Sequence, residues 1–142
     1  MRLGIMSFAH MHAYSYGKVI RQLPGVELAG VADTKQDRGR HGAKLLDTEY
    51  YPSYEELLKA NIDGVIITAA NRDHRELTEM AAAAGKHILC EKPIATTLED
   101  AIAMEKIARE AGVKFQMAFP CRYIPAVQRL KAQYDSGSLG RL

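Results

Sequence analysis

The chain has no tryptophan and only two cysteines among its 142 residues. Cys90 and Cys121 stand apart with no C-x-x-C, so the sequence offers neither a disulfide framework nor a cysteine-based zinc knuckle. No apolar run approaches the roughly 20 residues that span a bilayer, and His10 breaks the stretch from Leu3 to Ala9 too early for a secretory leader. Charge of one sign is not in excess. The formal net charge is +2 with no basic run, which argues against nucleic-acid binding through phosphate neutralisation. Repeats and low-complexity tracts are also missing. With 47% hydrophobic and 25% charged residues, the composition is that of one globular, cytoplasmic domain large enough to close its own core.

What is present is a rhythm. Short apolar runs alternate with helical patterns: Leu3-Gly4-Ile5-Met6, then a helix over residues 11–22 stopped by Pro24-Gly25; Val26 to Ala32 with Asp33 at its end; a helix over 35–46. A short edge strand is expected near Glu49-Tyr50-Tyr51, and Ser53 can cap a brief helix over 54–60. Gly64-Val65-Ile66-Ile67 is a fourth strand, and a helix over 73–84 is closed by Gly85. His87 to Cys90 is a fifth strand that Pro93 must end, because proline lacks the N–H a central ladder needs. Thr97 caps a helix that Gly112 closes, residues 114–118 form a sixth strand, and a last helix runs over 124–135. This alternation predicts an α/β fold: a doubly wound, Rossmann-like parallel sheet of about six strands with helices on both faces.

Such sheets bind ligands outside the carboxyl ends of their strands. The turn after the first strand is the usual phosphate site, with glycines in a G-x-G-x-x-G pattern. Here the three glycine places hold Ser7, Ala9 and His12, so the turn residues Ser7, Phe8, Ala9, His10 and Met11 leave a plain strand-to-helix turn equally open. Asp33, 21 residues after His12, suits an acid that bonds the adenosine ribose and repels a 2′-phosphate, favouring NAD, or equally a common cap on the next helix. Lys35, Arg38 and Arg40 nearby keep NADP open. Thr68, Asn71 and His74 follow the fourth strand as a polar set or as a capped helix start, and Glu91 and Lys92 end the fifth strand. His10-x-His12 matches half of a zinc site, but His41, His74 and His87 fall at no ligand spacing, so no metal is expected.

The run Ala83-Ala84-Gly85-Lys86-His87-Ile88-Leu89-Cys90-Glu91-Lys92-Pro93-Ile94-Ala95 resembles the A-G-K-H-V-L-C-E-K-P-L-A motif of the Gfo/Idh/MocA oxidoreductases. Pro24 to Leu28 leading into Asp33, Asp63 to Ile67, Arg122-x-x-Pro125 and Ser136 to Arg141 extend the likeness over nearly the whole chain. The resemblance implies a dinucleotide-binding domain over residues 1–123, with 124–142 beginning the connection into a second, substrate-binding domain, so that the chain is a fragment with little turnover of its own. It implies hydride transfer between NAD, or NADP, and a sugar, inositol or similar polyol. By position, Lys92 becomes the catalytic-motif lysine, Glu91 faces the nicotinamide ribose, and Thr68, Asn71 and His74 line the cofactor groove. Asp33 holds the adenosine ribose and Arg122 lies on the substrate side, where Pro120 replaces the usual asparagine. The apolar face of the last helix points to self-association into a homo-oligomer. The alternative reading is a nucleotide-responsive or protein-interaction Rossmann module without catalysis, which the glycine-free turn favours and the intact Glu91-Lys92-Pro93 disfavours.

Overall fold

A computed structural model describes residues 1–140. The elements in order are β1 (Arg2–Met6), α1 (His12–Ile20), β2 (Glu27–Ala32), α2 (Gln36–Leu46), β3 (Tyr50–Tyr51) and α3 (Tyr54–Lys59). The second half holds β4 (Gly64–Ile67), α4 (His74–Ala83), β5 (His87–Glu91), α5 (Leu98–Glu110), β6 (Phe115–Ala118) and α6 (Pro125–Asp135). The six strands form one sheet in the order β3-β2-β1-β4-β5-β6, every neighbouring pair parallel. The order reverses between β1 and β4. That makes the crevice above these two strands the place where such a sheet takes a ligand.

The strand alternation sorts the core into two layers. Met6, Ala32, Val65, Ile67, Ile88 and Cys90 face Leu57 and Leu58 of α3, Leu77 and Ala81 of α4, and Met104 of α5. Ile5, Val31 and Ile66 point the other way, onto Ala13 and Ile20 of α1 and Ala43 and Leu46 of α2. Residues buried on this scale each contribute about 1.5–3 kcal/mol, so the two layers rather than local propensity hold the short strands in place. β4 illustrates this. All four of its residues are buried, as a strand covered on both faces should be.

Helix ends follow the sequence closely where a side chain caps them. Ser53 accepts from the Glu56 N–H and Thr97 from the Asp100 N–H. They shift where no side chain does so. The first helix is His12–Ile20 rather than 11–22, and residues 71–73 form a separate 3₁₀ turn before α4. The two glycines inside α2 do not break it. They give α2 a smooth side: a Cβ on Gly42 would lie 2.4 Å from the Phe8 ring, and one on Gly39 would lie 2.5 Å from the Tyr50 ring. Beyond β6 the picture changes, because every residue from 119 to 140 is exposed. No helix among the described residues is long and apolar enough to cross a membrane.

Candidate functional site

Because all strands run the same way, the residues after β1, β2, β4, β5 and β6 share one edge of the sheet. Residues 7–11, Asp33, Asn71, Lys92 and Arg122 all stand there. The turn after β1 keeps a glycine-like backbone without a glycine. Ser7, in the first glycine place, has φ of 78°, a left-handed conformation that serine adopts at some cost. The conformation survives because neighbours hold it. The Ser7 N–H donates to the Ala32 carbonyl at 2.8 Å, and the Thr68 hydroxyl donates to the Ser7 carbonyl at 2.6 Å.

The rest of the turn is equally committed. The Phe8 N–H donates to Asp33, the Ala9 N–H to the Ser7 hydroxyl, the His10 N–H to the Thr68 carbonyl and the His12 N–H to the His10 ring. Met11, at the start of α1, is the turn residue whose N–H has no such partner among the described residues. Phe8 itself is buried against Gly42 and the Tyr14 ring. Its backbone, not its side chain, belongs to the site.

Asp33 is 1% exposed and its carboxylate is saturated. Oδ1 accepts from the Lys35 N–H and from Arg38, each at 2.8 Å; Oδ2 accepts from the Phe8 N–H at 2.6 Å and from Arg38 Nε at 2.8 Å. Burial pushes the carboxyl up, but the Arg38 guanidinium and the two backbone donors hold it below the usual range. Beside Asp33 lies a cleft of about 330 Å³ lined by Thr34, Tyr54, Asp73, Glu76 and Leu77. It runs from the end of β2 to the face of α4.

The fifth strand delivers a second buried carboxylate. Glu91 is 1% exposed, and its Oε1 accepts from the Tyr16 hydroxyl at 2.6 Å and from His12 Nδ1 at 2.7 Å. Oε2 accepts from the Lys92 N–H at 3.0 Å. Burial acts against ionisation, yet the Tyr16 and His12 bonds keep the carboxyl below its ordinary value. The Tyr16 hydroxyl is pushed up by burial and by this carboxylate. His10 stacks edge-on against His12 at 4.4 Å, and desolvation lowers its pKa.

The sequence-expected residues therefore divide. Met11, Asn71 and Lys92 are exposed at the sheet edge, and Asp33 forms the wall of the cleft. Thr68 and His74 are fully buried and do not line an open groove. Thr68 ties β4 to the first turn, and the His74 ring bonds the carbonyls of Pro93 and Ile94 at 3.0 and 3.2 Å, fixing the segment after Lys92. The Glu91 carboxylate is held by Tyr16, His12 and the Lys92 N–H. Arg122 lies at the end of β6 with its guanidinium 4.6 Å over the Phe119 ring. Sequence reasoning missed Arg38 as the partner of Asp33 and Tyr16 as the partner of Glu91. The one legible signal was that His12 and Tyr16 share a helix face four residues apart. It also sought a third metal-type ligand among His41, His74 and His87, whereas the group that joins His10 and His12 is Glu91.

Residues 2–119 match the model of Gfo/Idh/MocA, described as an oxidoreductase family with an NAD-binding Rossmann fold. The chain is 30% identical over 143 residues to scyllo-inositol 2-dehydrogenase (NAD(+)) of Bacillus subtilis strain 168, covering 99% of this chain and 42% of that protein. It is 31% identical over 130 residues to glucose-6-phosphate 3-dehydrogenase of the same organism, covering 92% and 37%. Among solved structures, an NAD binding oxidoreductase from Klebsiella pneumoniae superposes with a TM-score of 0.82 at 32% identity, over 99% of this chain and 40% of that one. The chain thus spans about two-fifths of the length of these relatives.

Proposed function

The chain belongs to the Gfo/Idh/MocA oxidoreductase family, and from that premise we propose that it is the dinucleotide-holding part of an NAD-dependent dehydrogenase or reductase acting on a sugar, inositol or related polyol. The observation that carries this reading is the shared edge on which Asp33, Asn71 and Lys92 flank the β1–β4 reversal, with the cleft opening beside Asp33. The cleft fits the adenosine half: an acid at its wall, an aromatic ring at Tyr54 and an apolar patch at Leu77. The Met11 N–H at the start of α1 would meet the pyrophosphate, and Asn71 and Lys92 would hold the nicotinamide half.

When bound, the nicotinamide supplies or accepts the hydride. This chain's residues position it and manage charge. Lys92, exposed at the end of β5, places an ammonium where a reacting oxygen can accept a hydrogen bond. Glu91, buried and ionised beneath it, anchors the Lys92 backbone through its N–H, and His74 anchors the two carbonyls that follow. Arg122 is assigned to the substrate side. Asp33, Asp73 and Glu76 around the cleft disfavour a 2′-phosphate, and Arg38 is neutralised by Asp33, so NAD is preferred to NADP.

We place the end of the dinucleotide-binding unit near residue 123, a few residues past Ala118, the last buried position among the described residues. Val127, Leu130 and Tyr134 are exposed apolar residues at helical spacing on α6, with Ile124 exposed just before it, which favours self-association of the chain. Calorimetric titration of NAD⁺, NADH, NADP⁺ and NADPH into the chain tests the function. Heat with the NAD pair, weaker with the NADP pair, is expected; no heat from any of the four would replace this reading with a non-catalytic Rossmann module.

A further inference from the structure

Around the start of α1 three groups converge that the oxidoreductase reading does not use together. One ligand atom each from His10, His12 and Glu91 lies within 4.8 Å of the other two. Two imidazoles and one carboxylate are a donor set that transition metals prefer and that magnesium and calcium, with their all-oxygen shells, do not. We propose that His10, His12 and Glu91 form a binding site for a divalent transition metal, zinc by its donor chemistry.

The geometry needs small adjustments. Zinc binds nitrogen and oxygen at about 2.0–2.2 Å, which in a tetrahedron sets ligands roughly 3.3 Å apart. His12 Nδ1 and Glu91 Oε1 are 2.7 Å apart and must open slightly to admit the ion. As the metal takes Nδ1, the proton that His12 donates to Glu91 from that nitrogen moves through solvent to Nε2, and the ring coordinates as the Nε2–H tautomer. His10 closes from the other side. Its Nδ1 accepts from the His12 N–H at 3.2 Å, which orients the ring beside His12.

The surroundings are those of a built site. Glu91 is fixed by burial and by the Lys92 N–H on its other oxygen, so the carboxylate is in place before an ion arrives. The Tyr16 hydroxyl at 2.6 Å orients it from outside the ligand set. His10 and His12 are half-buried, which leaves a path from solvent. Three protein ligands leave a fourth position for water or an oxygen of a small ligand. This proposal is independent of dinucleotide binding.

The test is titration of a tag-free, chelator-treated chain with zinc chloride alone, read by calorimetry and by thermal unfolding, with magnesium chloride as the comparison. One zinc per chain with a rise in Tm, and no heat from magnesium, is expected. His10→Gln and His12→Gln should each weaken zinc at least about tenfold, Tyr16→Phe by roughly tenfold, and His41→Gln not at all. Cobalt(II) in place of zinc should give the visible absorption of a four-coordinate ion, which the His10→Gln chain loses. His10 is half-exposed, so that variant should fold even if one at Glu91 does not. Absence of zinc binding, binding equal in all variants, or equal heat from magnesium would overturn the proposal.

Discussion

Replacing Arg38 with alanine should loosen the fold and tighten nucleotide binding at once. Arg38 gives Asp33 two charge-assisted bonds of 2.8 Å while the carboxylate is fully buried. Removing one member of a fully buried pair costs about 3–5 kcal/mol. Here the Arg38 side chain is 29% exposed, and Asp33 keeps the Phe8 and Lys35 N–H groups, so about 2 kcal/mol is expected. For a chain of this size that lowers Tm by roughly 4–8 °C. The same change frees one acceptor site on each carboxylate oxygen for the adenosine ribose hydroxyls, which otherwise must displace the guanidinium. Affinity for NAD⁺ should rise about tenfold, equivalent to about 1.4 kcal/mol. NADP⁺ should gain less, because the freed Asp33 carboxylate repels its 2′-phosphate. Thermal unfolding and calorimetry on the same preparation read both effects. A lower Tm with weaker NAD⁺ binding would refute the reasoning and make Arg38 a cofactor contact instead of a guard on Asp33.

Gly42→Ala should destabilise by about 1–3 kcal/mol in chemical denaturation, since its Cβ meets the Phe8 ring at 2.4 Å; an unchanged midpoint would mean that Phe8 does not pack there. Acid should unmake the Asp33 lock. Its folded pKa is lowered, so its stabilisation is complete above the unfolded value of about 3.9 and is lost as pH falls through that value and below. Tm scans from pH 7 to pH 3 should therefore fall less steeply for Asp33→Asn than for the parent chain, and parallel curves would count against it. A thiol reagent at neutral pH should label Cys121 quickly and Cys90 only after unfolding. Cys90 is fully buried, with its thiol pushed up to about 12 by burial first and by Glu91 second; two equally fast labels would contradict the packing of β5.

Six strands and their parallel direction were legible because each depends on local pattern. Val65-Ile66-Ile67 reads as a two-sided buried strand, and Pro93 as the stop to β5, from neighbours in sequence alone. The caps at Ser53 and Thr97 were legible for the same reason. What was not legible depends on pairs far apart in the chain. Glu91 meets Tyr16 and His12 across 75 and 79 residues, and no spacing announces that. Gly39 and Gly42 looked like weaknesses in a helix because propensity counts only the chain itself; the rings of Tyr50 and Phe8 against them supply the missing half. Thr68 and His74 carry polar groups at a strand end, which suits a groove, yet the first turn and the Pro93–Ile94 carbonyls claim them. Ser7 held the least signal: its backbone takes a glycine's conformation under constraint from Ala32 and Thr68.

The central claim is that one edge of the sheet forms a single groove for a nicotinamide dinucleotide. Amide chemical shifts of the isotopically labelled chain, followed while NAD⁺ is added, test it most directly. The account predicts that signals of Met11, Thr34, Asn71 and Lys92 move together along one saturation curve, while those of α5 and α6 stay still. Movement confined to one strand end, or separate curves for the Thr34 and Lys92 ends, would contradict it.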